Sequence, residues 1–250
     1  MCGLFLVLER HRPIDAQRAH ASTAALRHRG PDGTGHWQFQ WRDCTNRDAV
    51  PVSGFAGHTR LSIQDLEARS DQPLRRGSKT LVYNGELYNF RSLRDKLATS
   101  GSRFETGGDT EVLLELLARQ GVNGLSQANG MWAFCMVDEE RGQLVAARDR
   151  YGKKPLFVYQ DDADCAWPRR SRRSLPTLGN VLFCGNRRWT RFYATGGCFR
   201  RPMVTPTYKV SGRFQRVAHG LSIWHAGSFT RSAISISPPM PGPPHQNQRN

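Results

Sequence analysis

Met1-Cys2-Gly3-Leu4-Phe5 opens the chain, and its second residue can carry a thiol and a free amine at once. A neighbour as small as Cys2 permits removal of Met1, and removal leaves the α-amine as a base beside the sulfur. Unperturbed, such a thiol titrates at about 8.5 and such an amine at about 7.7 to 8.0, so a proton can pass between them near neutral pH. That is a nucleophile with a built-in base, the cysteine counterpart of a threonine paired with its own N-terminal amine. The following run, Leu4 to Leu8, is apolar and of strand length, which seats Cys2 at the end of a buried strand. A second-position cysteine is more often inert than reactive, so the weight falls on what the rest of the chain supplies.

Downstream, Asp15 to Arg29 reads as an Ala-rich helix ending in the turn chemistry of Gly30-Pro31-Asp32-Gly33. Trp37, Phe39 and Trp41 alternate with polar residues as a half-buried strand does. Gly54 to Ile63 is a second strand, carrying His58 and Arg60, and Leu81-Val82-Tyr83 is a third that runs into Asn84-Gly85-Glu86. Asn89 is placed to cap a helix over 90–99. Asp109 is placed to cap the next, whose Val112, Leu113, Leu116 and Leu117 form an apolar stripe. Met131 to Val137 and Gln143 to Ala147 bracket a hairpin turn at 138–142, and Leu156 to Tyr159 adds a strand. Strands at both ends with helices grouped between them predict an α+β layered domain.

Charge divides the chain in two. Of its 36 Lys and Arg, 14 lie in residues 165–250, and none of its 21 Asp and Glu does, so the net charge of +15 belongs almost wholly to the last third. The six cysteines show no C-x-x-C spacing, which argues against a zinc site or redox pair and fits a reducing cytoplasm. No apolar stretch approaches the roughly 20 residues of a membrane span, and the charges of the first segment follow its apolar run, unlike a signal peptide.

Seven segments, in order, carry a resemblance: Met-Cys-Gly at the start, RHRGPDG at 27–33, HTRLSI at 58–63, YNGELYN at 83–89, GGDTEV at 107–112, NGMWAF at 129–134 and ARDRYGKKPL at 147–156. Together they resemble the class II glutamine amidotransferases, most closely the glutaminase half of glutamine-hydrolysing asparagine synthetases. The resemblance covers residues 2–160. It implies an N-terminal-nucleophile hydrolase fold, an αββα sandwich of two antiparallel sheets between helical layers. It implies hydrolysis of glutamine to glutamate and ammonia, with no metal and no cofactor in this domain, and a possible homodimer as in the family.

The resemblance also implies roles. Cys2 is the nucleophile, and Asn84 and Gly85 match the pair of N–H donors aimed at the oxyanion. The residue-level alternative for Asn84-Gly85 is a tight hairpin turn. Arg60 matches the arginine that binds the substrate carboxylate, a job suited to its planar fork. Asp109 and Glu86 match positions that recognise the amino-acid head, and Leu61, Ser62, Ile63 and Gln64 are expected to line the same pocket. The alternatives are that Arg60 is a surface charge and Asp109 only a helix cap. His58 reads as a hydrogen-bonded core histidine, because the amine already fills the base role.

Residues 161–250 depart from the family. An intact asparagine synthetase continues into a domain that uses ATP and Mg to activate aspartate, through a Ser-Gly-Gly-x-Asp-Ser loop, and no such loop occurs here. The stretch is instead irregular and basic, and is expected to be disordered. A shifted reading frame accounts for the missing carboxylates: one permitted set of codons for 164–176 also encodes a Ser-Glu-Ile-Lys run like the one found after KPLF in asparagine synthetases. Two other readings are an inactive remnant of such an enzyme and an RNA-binding protein using Arg for phosphates and Trp for stacking. Nucleic acid is the less favoured partner.

Overall fold

The computed structural model describes residues 1–10, 13–43, 50–161, 180–185, 213–216 and 221–225, with side chains for those at 1–9, 13–42 and 51–157. In chain order they form β1 (Gly3–Arg10), α1 (Ala16–Ala24), β2 (Gly33–Asp43), β3 (Val50–Arg60), β4 (Leu74–Arg76), β5 (Lys79–Leu87), α2 (Phe90–Thr99), α3 (Asp109–Gln120), β6 (Gly130–Asp138), β7 (Gln143–Arg148), β8 (Phe157–Asp161), β9 (Asn180–Gly185), β10 (Arg213–Arg216) and β11 (Leu221–His225). One sheet has the order β10-β8-β9-β1-β3-β2 and the other β11-β7-β6-β5-β4.

Side-chain alternation assembles the layers. In β1, Leu4, Leu6 and Leu8 join Ala56 of β3, Val82 of β5 and Ala133, Cys135 and Val137 of β6 in a core between the sheets. The odd-numbered Phe5 points the other way, its ring meeting Phe55, which also touches His20 of α1. On the second sheet Leu81, Tyr83, Trp132, Phe134 and Met136 pack with Leu93 and Leu97 of α2 and Val112, Leu113, Leu116 and Leu117 of α3. The four α3 residues are thus core, as their spacing predicts, each worth about 1.5 to 3 kcal/mol of apolar burial. The result is helix, sheet, sheet, helices: the αββα order expected of an α+β N-terminal-nucleophile hydrolase.

Several local expectations are corrected. The helix expected over 15–29 stops at Ala24 and resumes only as a single 3-10 turn at Arg27–Arg29. The Thr59 hydroxyl donates to the Leu26 carbonyl at 3.0 Å, and Pro31 disfavours helical backbone just before it. Asn89 occupies the cap position of α2 without capping: its amide donates to the Gln127 carbonyl at 2.8 Å and accepts from the Asn129 N–H at 3.0 Å, tying α2 to the start of β6. The cap of α3 is Gly108, and Asp109 is the first helical residue.

Among the described residues every strand pair is antiparallel except the two made by β9, which runs parallel to both β1 and β8. The stretch expected to be irregular contributes three short strands where described, each paired to strands of the first 161 residues. These segments, such as Val181-Leu182-Phe183, are apolar enough to add to open sheet edges, which expose unpaired N–H and C=O groups. The remaining residues of that stretch, Trp167, Trp189 and the 169–174 Arg run included, lie outside the described residues.

Candidate active site

The site arises from the same alternation. Side chains two apart on a strand share a face. Two residues before Leu4 lies Cys2, two and four after Ala56 lie His58 and Arg60, and two and four after Val82 lie Asn84 and Glu86. All point between the sheets at one end of the sandwich, because Gly3 pairs with Thr59 and His58 bridges to β5. There the structure opens a cleft of about 160 Å³ whose wall includes Cys2, Asn84, Gly85 and Asp109. Arg60, Leu61, Ile63, Gln64 and Glu86 line it as well. Ser62 does not: its N–H is turned to the Asp32 carboxylate at 2.8 Å.

Cys2 is half-buried and held by the chain leaving β3. The Leu61 N–H donates to its sulfur at 3.3 Å, and the thiol lies 3.7 Å from the Leu61 carbonyl. Arg29 donates to the Cys2 carbonyl at 3.2 Å, so the RHRG turn clamps the backbone of Cys2. Burial pushes the thiol above its ordinary value, against the Leu61 N–H, the N-terminal charge and Arg60, which pull it down.

Asn84 and Gly85 lie inside β5, opposite Ala133 and Trp132 of β6, which excludes the hairpin-turn alternative. Asn84 is almost fully buried at 2% exposure. Gly85 is required sterically, since a Cβ there would stand 2.4 Å from the Met131 carbonyl oxygen and 2.7 Å from Trp132 Cα.

Asp109 is more than a helix start. Its carboxylate accepts from the Tyr83 hydroxyl at 2.9 Å and from the Leu87 N–H at 2.8 Å, so β5 aims it into the cleft. Burial raises its pKa, with those two donors opposing. Glu86 is also raised by burial and by the neighbouring Asp109 charge, while the Gln64 amide donates to it. His58 is fully buried, its Nε2 is 3.1 Å from the Tyr83 carbonyl, and burial lowers it to about 4. It is a neutral core histidine, as expected.

Arg60 departs from expectation in its partners. It lies on the cleft wall, but its guanidinium fork is already engaged: one terminal nitrogen meets Asp71 at 2.6 Å and the Glu67 carbonyl at 3.1 Å, the other the Gln64 carbonyl at 3.3 Å and the Asp65 carbonyl. The reason is a loop, residues 64–71, that folds over the end of β3. Asp65, in left-handed backbone at φ 41°, pins the loop to the opposite rim by accepting from the Gly107 N–H. Glu111, 2% exposed, holds that rim by accepting from the Glu105 and Thr106 N–H groups at 3.0 and 2.7 Å.

Sequence reasoning assigned no role to Lys154 or Asp71, because neither sits at a spacing that marks chemistry. Lys154, 5% exposed, lines the cleft and donates to the Met1 thioether at 3.0 Å. Among the described residues no group of three or more His, Cys, Asp or Glu could hold a metal ion, and no helix is long and apolar enough to cross a membrane.

Known proteins are similar to this chain over its first two thirds. The chain is 33% identical over 177 residues to a Methanocaldococcus jannaschii protein whose name includes asparagine synthetase [glutamine-hydrolyzing] 2, covering 64% of this chain and 32% of that one. It is 34% identical over 167 residues to asparagine synthetase [glutamine-hydrolyzing] 3 of Bacillus subtilis, and 35% over 168 residues to asparagine synthetase [glutamine-hydrolyzing] 2 of Arabidopsis thaliana. These cover 64% and 63% of this chain and 25% of each relative, so the chain spans a quarter to a third of the length of the relatives it matches. Among solved structures it is similar to glutamine phosphoribosylpyrophosphate amidotransferase from B. subtilis, at 27% identity and a TM-score of 0.49, over 63% of this chain and 39% of that one. The model of the glutamine amidotransferase domain family matches residues 1–172, more than half of the chain. On that match the chain belongs to the glutamine amidotransferase domain family.

Proposed function

We propose that the domain hydrolyses glutamine to glutamate and ammonia, with Cys2 as nucleophile after loss of Met1. The Cys2 thiol gives its proton to the adjacent α-amine, and the thiolate so formed attacks the carbon of the glutamine side-chain amide. The carbonyl oxygen gains the negative charge, and Asn84 and Gly85 donate to it. Losing one such donor typically costs about 10²- to 10³-fold in kcat. As the C–N bond breaks, the amine returns its proton to the departing ammonia, leaving a thioester. Water, giving a proton to the same amine, then cleaves the thioester and restores the thiol. No step needs a metal or cofactor.

Substrate recognition completes the reading. The buried Asp109 carboxylate, with Glu86 beside it, is the counter-charge for the glutamine ammonium, and a buried charge without a partner is costly. Arg60 receives the substrate carboxylate by exchanging it for Asp71, whose side chain is 54% exposed and free to swing into water. The names of the relatives point to asparagine as the destination of the ammonia, a reaction of chains three to four times longer than the matched stretch. For this chain the reading is ammonia release.

The convergence of Cys2 with Asn84, Gly85 and Asp109 in one cleft carries this reading. Its test is glutamate release by the full chain, with Met1 removal verified by intact mass. Cys2→Ala must abolish release. Release that persists in that variant, or a processed wild type that releases none, removes the proposal.

A further inference from the structure

Lys154 is the charged group of the cleft that this chemistry leaves unused. It lies in the turn after β7, where the Asp149 carboxylate accepts from the N–H groups of Trp132, Tyr151, Lys153 and Lys154 at 3.0 to 3.2 Å. That turn drives the Lys154 side chain inward, to 5% exposure on the same wall as Cys2. Its ammonium donates to the Met1 sulfur at 3.0 Å. A thioether is a weak acceptor, so this contact compensates a buried cation poorly. It also fixes the position of the charge, within the reach of one methionine side chain from the Cys2 nitrogen.

Removing Met1 changes both sides of that contact. Lys154 loses its hydrogen-bond partner, and the Cys2 nitrogen becomes an amine that can itself carry a proton. Like charges in one partly desolvated site disfavour double protonation. The α-amine is the weaker base of the two, with an ordinary value near 8 against about 10.4 for lysine, so it is the amine that stays unprotonated.

We propose that Lys154 is the positioning charge that keeps the Cys2 α-amine neutral, and so able to accept a proton, at the pH where the enzyme works. The inference rests on the reading of Cys2 as an N-terminal nucleophile. Without such a neighbour an α-amine titrating near 8 is mostly protonated at about pH 7 and serves poorly as a base.

The other charges facing Cys2 are of both signs, Arg60 and Glu86 acting on it in opposite directions, and each has hydrogen-bond partners that stay when Met1 leaves. Arg29 donates to the Cys2 carbonyl and Arg60 to the 64–71 loop. Asp149 is held by four backbone N–H groups, Asp109 by Tyr83 and Leu87, and Glu86 by the Gln64 amide. Lys154 is the one whose hydrogen-bond partner departs with Met1. Burial and the nearby Arg29 also lower its own pKa, against the pull of Glu86, Cys2 and Asp149.

The test is the pH dependence of kcat/KM for glutamine in the processed full chain, comparing wild type with Lys154→Met, Lys154→Gln and Lys154→Arg. Both neutral variants are expected to move the acid limb up by about one pH unit, a loss of about tenfold near pH 6.5 that vanishes above about pH 9. Lys154→Arg, which keeps the charge, is expected to retain the wild-type limb. A purely structural lysine would lower activity at every pH and leave the limb in place. Acid limbs of whichever neutral variant folds that superpose on wild type overturn the proposal, whereas a processed wild type that releases no glutamate overturns the underlying reading instead.

Discussion

The Leu61 N–H stands 3.3 Å from the Cys2 sulfur, so the chain leaving β3 donates to the thiol at the head of β1. That single donor is outweighed by burial, and the thiol is raised. In chain purified with Met1 retained, alkylation of Cys2 by iodoacetamide is therefore expected to be slow at about pH 7 and to rise with pH through a midpoint above the ordinary 8.5 or so. Intact mass against pH measures it. A midpoint at or below the ordinary value would contradict the burial argument.

Asp109→Asn separates recognition from folding. The asparagine oxygen can still accept from Tyr83 and Leu87, but the charge facing the substrate ammonium is gone. KM for glutamine is expected to rise about tenfold or more, from a lost charged hydrogen bond of about 1.5 to 3 kcal/mol, with kcat changed less. Because the folded-state pKa of Asp109 is raised, protonation favours the folded form, and the neutral variant is expected to melt no lower than wild type. In wild type the same direction makes KM rise with falling pH before the ordinary carboxylate range, near 4, is reached. A KM unmoved by the substitution would remove Asp109 from the recognition site.

Gly85→Ala tests the steric claim for the donor pair. The new Cβ meets backbone on both β6 neighbours, Met131 and Trp132, so β5 and β6 must part. Overpacking of this kind costs about 1 to 3 kcal/mol, and the displaced donor lowers kcat by about a hundredfold. Thermal melting and glutamate release measured on one preparation would show both losses. Wild-type kcat in a stably folded variant would mean that this backbone does not serve the oxyanion.

Asp71→Asn addresses the engaged arginine fork. Arg60 and Asp71 pair at 2.6 Å, with the carboxylate 54% exposed. The Arg60 side chain is only 9% exposed but keeps the Glu67, Gln64 and Asp65 carbonyls when the carboxylate charge is lost, so the expected loss of stability is about 1 kcal/mol, the upper end for pairs with one exposed partner. If Asp71 must yield the fork to substrate, the variant binds glutamine several-fold more tightly, seen as a lower KM. A raised KM would instead make Asp71 part of the recognition surface.

Much of the fold was legible one residue at a time. Leu4, Leu6 and Leu8 announced a strand buried on one face, and Leu93 with Leu97, and Val112 with Leu116, announced helices, because period and apolarity are local properties. Cys2, Asn84, Gly85 and Asp109 were singled out through motif order, and one cleft collects them. Local chemistry misled where a distant partner outcompeted it. Asn84-Gly85 has the composition of a tight turn, yet pairing with Ala133 and Trp132 keeps it in a strand. Asn89 has the composition of a cap, yet Gln127 and Asn129 take its amide.

The order of residues determined a second-position cysteine, the strand that follows it and the motifs of a glutamine amidotransferase domain, since each is written in contiguous letters whose physics reaches only a few residues. The partners of charge were settled by folding: Arg60 met Asp71, and Lys154 arrived beside Met1 from the far end of the domain. Electrostatics and desolvation depend on distance in space, and closing two sheets over one cleft is what set those distances.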